Sequence, residues 1–126
     1  VICCCMDARR AQVYNAVFER CGETLVRLRE DRAISLDDLC EDLQNIEKPI
    51  FLVGDGAQLC YNTCLDMGIP AVLAPGNLVS QSAWGVAMAA FGQTPGPAEE
   101  LLPVYLRLSQ AERERQARLA AQAAQE

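Results

Sequence analysis

Apolar and polar positions change their rhythm several times along the chain. Ile2 to Met6 is an unbroken apolar run, Asp7-Ala8-Arg9-Arg10 interrupts it, and Gln12 to Phe18 continues in rough alternation with β-branched and aromatic side chains. That pattern predicts a β-hairpin. Cys21-Gly22-Glu23 supplies a second turn, and Thr24 to Leu28 completes an antiparallel meander of three strands. The period then lengthens. Ser35-Leu36-Asp37-Asp38 has the form of an N-cap with an acidic first turn, and Leu36, Leu39, Leu43 and Ile46 fall on one stripe, so a helix is predicted that ends before Pro49.

Pro49 to Val53 is short and wholly apolar, as expected of a parallel strand buried on both faces, and it runs into Gly54-Asp55-Gly56. Ala57 to Met67 then suits a helix with Leu59, Cys60 and Cys64 inward and Gly68 just past its end. Pro70 to Leu73 is a further strand, closed by Pro75-Gly76. Ser80 or Ser82 opens a third helix over Ala83 to Phe91, whose Gly85, Ala87, Ala89 and Ala90 suit close packing on a sheet. Gln93 to Pro97 has linker composition, Pro103 to Leu108 is extended, and Gln110 to Glu126 is helix-prone with almost no apolar stripe. The chain thus divides into a core over 1–92, a linker and extended segment packing on it over 93–108, and a polar tail over 109–126, helical or frayed. Three strands, helix, strand, helix, strand, helix, with right-handed crossovers, is an α/β arrangement of the ribonuclease H-like kind. It implies a mixed sheet of three antiparallel and two parallel strands with helices on both faces.

Composition narrows the functional classes. The 126 residues, 13.8 kDa, can bury an ordinary core, since a chain of this mass exposes roughly 6,600 Å² when folded. The net charge of −6 argues against a stand-alone nucleic-acid binder, which normally leaves a basic footprint. No apolar run reaches the roughly 18 residues of a membrane span. Val-Ile-Cys-Cys-Cys-Met lacks the basic lead of a signal peptide, so a cytoplasmic protein with no membrane partner is expected. A first residue of Val inside an apolar stretch suggests a processed or truncated piece. Seven cysteines occur without a Cys-x-x-Cys and without any histidine. A Cys/His zinc site, a Cys-His or Ser-His-Asp nucleophile and a thioredoxin-type pair are therefore unsupported. The thiols, including Cys60 and Cys64 four residues apart, are expected to be reduced apolar filler, with no metal held.

The candidate chemistry lies at two turns. Arg9 and Arg10 can bind a phosphate or carboxylate, against the plainer reading of a turn bond to Asp7 and solvated guanidiniums. Gly54-Asp55-Gly56 stands between a buried strand and a helix, where α/β proteins hold ligands, but it lacks a full Gly-x-Gly-x-x-Gly and a phosphate-binding lysine. A tight turn is the plainer reading there too. Asp7 and Asp55 form a carboxylate pair if both lie at strand ends, although a two-metal nuclease would need at least one more acid. Asp37, Asp38, Glu41 and Asp42 read as a solvated helix face, and Trp84 as a core or interface anchor.

Three segments in order resemble the second half of the TsaB (YeaZ) family: Met6 to Phe18 with its Asp-Ala-Arg-Arg hairpin, Phe51 to Ala57, and Pro103 to Arg107 with Ser109 to Glu112. The resemblance runs as far as Glu112. It implies one ribonuclease H-like half of the two-lobed actin-like ATPase fold. It also implies a non-catalytic subunit of the bacterial machinery that puts threonylcarbamoyl on adenosine beside the anticodon of certain tRNAs. Such a subunit would bind a catalytic TsaD-like subunit and a TsaE-like ATPase, and meet tRNA only through the complex. Family members are degenerate at the nucleotide site, so the resemblance implies no cofactor and leaves Gly54, Asp55 and Gly56 as a weak nucleotide-site candidate. Asp7, Arg9 and Arg10 become candidates for partner or phosphate contact. The family's other half carries its pairing helices, so an isolated half exposes its sister-facing surface and is a candidate homodimer. The rival expectation is a nucleotide-binding enzyme or sensor of the actin-like superfamily.

Overall fold

The computed structural model describes residues 1–123, so the last three residues of the expected tail lie outside the described residues. Two compact units are present, Val1–Gly96 and a second beginning at Pro97. In the first, strands β1 (Ile2–Asp7), β2 (Gln12–Cys21) and β3 (Thr24–Ser35) form the expected meander. Helix α1 (Leu36–Gln44), strand β4 (Ile50–Val53), helix α2 (Ala57–Asp66) and strand β5 (Ala71–Leu73) follow. The sheet order is β3-β2-β1-β4-β5, with β1–β2 and β2–β3 antiparallel and β1–β4 and β4–β5 parallel. This is a mixed α/β sheet of ribonuclease H-like order.

The core lies between one face of the sheet and helices α1 and α2. Cys3 and Cys5 of β1, Val13 and Val17 of β2, and Ile50 and Leu52 of β4 alternate inward. They meet Leu39, Cys40 and Leu43 of α1 and Ala57, Cys60 and Cys64 of α2. The Ser35 Oγ accepts from the Asp38 N–H at 3.1 Å, the cap read from the sequence. Leu59, expected inward, is exposed, because the inward stripe of α2 runs through Ala57, Cys60 and Cys64. Strand β4 is buried on one face only: Ile50 and Leu52 point into the core while Phe51 is exposed, as are Met6 and Val72 on the strands beside it.

Two elements depart from the sequence expectation. Strand β3 runs to Ser35 and not Leu28, because its charged stretch Arg29–Arg32 stays on the ladder as a sheet edge, where charge is tolerated. A one-turn helix α3 (Gly76–Val79) precedes α4 (Ala83–Ala90), which is capped by Ser82 and buries none of its residues, so its small side chains do not make the sheet packing expected of them. The second unit holds a 3-10 turn at Ala98–Glu100 and helix α5 (Gln110–Ala123). Ser109 Oγ accepts from the Glu112 N–H, and Gln110 and Glu114 pair one turn apart.

Candidate functional site

The two candidate turns meet at the carboxyl ends of β1 and β4. Gly54 has φ +101°, and a Cβ there would stand 2.0 Å from the Cys5 carbonyl oxygen. A Cβ on Gly56 would stand 2.9 Å from the Asp7 nitrogen. Glycine is required at both positions because the loop is pressed against the backbone of β1. The Gly56 N–H donates to the Cys5 carbonyl at 3.0 Å, and the Gly54 N–H donates to the Val79 carbonyl. Asp55 Oδ1 accepts from the Asp7 N–H at 3.0 Å.

Asp7 in turn organises the hairpin. Its Oδ1 accepts from the Arg9 N–H at 2.7 Å and its Oδ2 from the Arg9 guanidinium at 3.1 Å. Arg9, Arg10 and Ala11 all have positive φ, at 62°, 57° and 54°. Three successive non-glycine residues in this region cost about 1–2 kcal/mol each, a cost the surrounding bonds must offset. The bonds are the Ala8 N–H on the Gln12 carbonyl, the Gln12 N–H on the Arg9 carbonyl, and the Leu36 N–H on the Ala11 carbonyl. The turn leaves the Arg9 side chain 86 % exposed and Arg10 exposed without an ion-pair partner among the described residues.

The structure therefore brings Asp7, Arg9, Gly54, Asp55 and Gly56 into one bonded unit, with Arg10 at its outer edge. The carboxylates of Asp7 and Asp55 are both engaged by the chain itself. Among the described residues no third acid joins them in a metal-sized cluster, which is what the nuclease reading required. The N–H groups of Gly54 and Gly56, the natural donors to a phosphate, are bonded to carbonyls.

A second network escaped the sequence reading. Asp42 accepts from Arg29 at 2.9 Å and from Arg32 at 2.6 Å. These guanidiniums hold its carboxyl below the usual range, Arg29 first, with partial burial opposing. Arg32 Nε also donates to Asn15 Oδ1 at 3.1 Å. Asp42 sits in the acidic cluster that reads as a solvated face. Only the register of β3, invisible in the sequence, brings the two arginines onto it.

A five-stranded sheet in the order 3-2-1-4-5, with two helical crossovers and a glycine turn closing on the end of the first strand, defines a ribonuclease H-like α/β domain. Among solved structures the chain is similar to a Pseudomonas aeruginosa protein described as having similarity to peptidase YEAZ, with a TM-score of 0.48 and 18 % sequence identity. The match covers 84 % of this chain and 49 % of that one, so the chain spans about half the length of that protein. No protein-family model matches the chain, and no curated protein matches it.

Proposed function

We propose that the chain belongs to a TsaB-like, non-catalytic subunit of the tRNA threonylcarbamoyladenosine machinery. It acts by binding a TsaD-like catalytic subunit, with a TsaE-like ATPase joining the complex. The observation that carries the reading is the Asp7–Arg10 turn. It is the most specific part of the sequence resemblance, and it is held in a costly left-handed conformation that presents two arginines to solvent. Strain of this kind persists where a conformation serves binding. Arg9 and Arg10 contact the partner or tRNA phosphate, and Asp7 positions Arg9. The non-catalytic reading draws on the internal bonds that Asp7, Asp55 Oδ1 and the glycine N–H groups make.

The test is sedimentation of the intact gene product with the TsaD-like subunit from the same source. A stable complex is expected, weakened roughly ten-fold by the double change Arg9→Ala, Arg10→Ala. Independent sedimentation of the two proteins overturns the reading.

A further inference from the structure

Five of the seven cysteines meet in the core of the first unit. Cys3 and Cys5 lie on the inward face of β1, Cys40 on α1, and Cys60 and Cys64 one turn apart on α2. All five are at most 1 % exposed. The sulfurs of Cys40, Cys60 and Cys64 lie within 4.8 Å of one another, with Cys40 Sγ and Cys64 Sγ 3.2 Å apart. Cys3 Sγ and Cys5 Sγ are 3.6 Å apart on the neighbouring strand. Apolar filler alone does not call for three sulfurs from two helices at one point.

A second feature lies at the adjoining Cys3. Asn15 is the buried polar side chain of this core, at 3 % exposure. Arg32 can only donate, so the Asn15 oxygen must face it, which turns the amide nitrogen toward Cys3 Sγ at 3.3 Å and the Cys4 carbonyl at 2.9 Å. An N–H aimed at a sulfur fixes its orientation, as outer groups do for metal-bound sulfur.

We propose that Cys40, Cys60 and Cys64 form a binding site for one soft, thiophilic metal ion, Cu(I) or Zn(II), with Cys3 and Cys5 as the adjoining thiols. At a metal–sulfur distance of ~2.3 Å, three sulfurs around one ion stand about 4 Å apart, which the present spacing reaches with sub-ångström movement. Thiolate-only donor sets select these ions, and the chain has no histidine to compete. Each ligating thiol gives its proton to solvent, the ion keeps its electrons, and no oxidant is consumed. Cu(I) is satisfied by the three sulfurs. Zn(II), which prefers four ligands, recruits a fourth from Cys3 or Cys5.

The test titrates the reduced chain with Zn(II) and, separately, with Cu(I), each against a chromophoric chelator. One equivalent of at least one ion should bind, with a thiolate-to-metal charge-transfer band and a raised thermal midpoint. Cys40→Ala and Cys64→Ala should each weaken binding by roughly a hundred-fold or more, while Cys21→Ser, on the surface, should leave it intact. Loss in Cys3→Ala or Cys5→Ala is expected for Zn(II) only. If the Cys40 and Cys64 variants fail to fold, alkylation of the wild-type chain in mild denaturant decides, since bound metal should protect Cys40, Cys60 and Cys64. The proposal is overturned if neither ion binds stoichiometrically, if binding survives Cys40→Ala, or if metal leaves the alkylation of these three unchanged.

Discussion

Glycines with the same backbone hand differ sharply in what they permit. Gly54 and Gly68 both have positive φ, but a Cβ at Gly68 meets open space while one at Gly54 strikes the β1 carbonyl. Gly68→Ala should therefore cost about 1 kcal/mol, the price of the left-handed conformation alone. Gly54→Ala should cost about 3 kcal/mol or more in denaturant unfolding, because the neighbour is backbone and cannot yield. Asp42 gives a pH signature. Its folded pKa lies below its ordinary value, so its contribution is fully present above the unfolded carboxylate range, about pH 4, and is lost as pH falls through the depressed folded value. Asp42→Asn should remove that part of the acid dependence and cost about 1 kcal/mol at neutral pH, measured by urea titrations across the acid range. Gly54 and Gly56 are legible in the sequence as a turn. The reason they must be glycine is not, since it depends on a strand almost fifty residues earlier.

Among the elements, those whose burial follows a simple period are the legible ones. The β1–β2 hairpin, the α1 stripe with its Ser35 cap, and strands β4 and β5 stand where the hydrophobic pattern puts them. Strand β3 does not show its length, because Arg27 to Arg32 carries no apolar alternation and is held by pairing with β2 through a register shift at Val17. The thiol cluster is equally hidden: Cys60 and Cys64 share a helix face by spacing, but Cys3, Cys5 and Cys40 reach them only through the tertiary fold. The left-handed Arg9–Ala11 turn is likewise absent from the sequence signal, since none of its residues is a glycine. It makes a prediction of its own. Ala11→Gly relieves part of the strain without touching a side-chain contact and should raise stability by about 0.5–1 kcal/mol in thermal or urea unfolding.

Over the whole molecule, the first unit covers one face of its sheet and leaves Met6, Phe51 and Val72 open on the other. Helix α4 likewise exposes Trp84, Val86 and Met88, and Phe91 just past its end is exposed too. No helix among the described residues is long and apolar enough to cross a membrane. Open apolar surface of this kind suits a protein that works against a partner. The non-catalytic role proposed above draws on the internally bonded carboxylates at the strand ends. The most direct measurement is therefore threonylcarbamoylation of tRNA by the purified partner subunits, with and without the intact gene product. Modification should depend on its presence and fall when Arg9 and Arg10 are both replaced by Ala. Modification at the same rate without it would overturn the TsaB-like assignment.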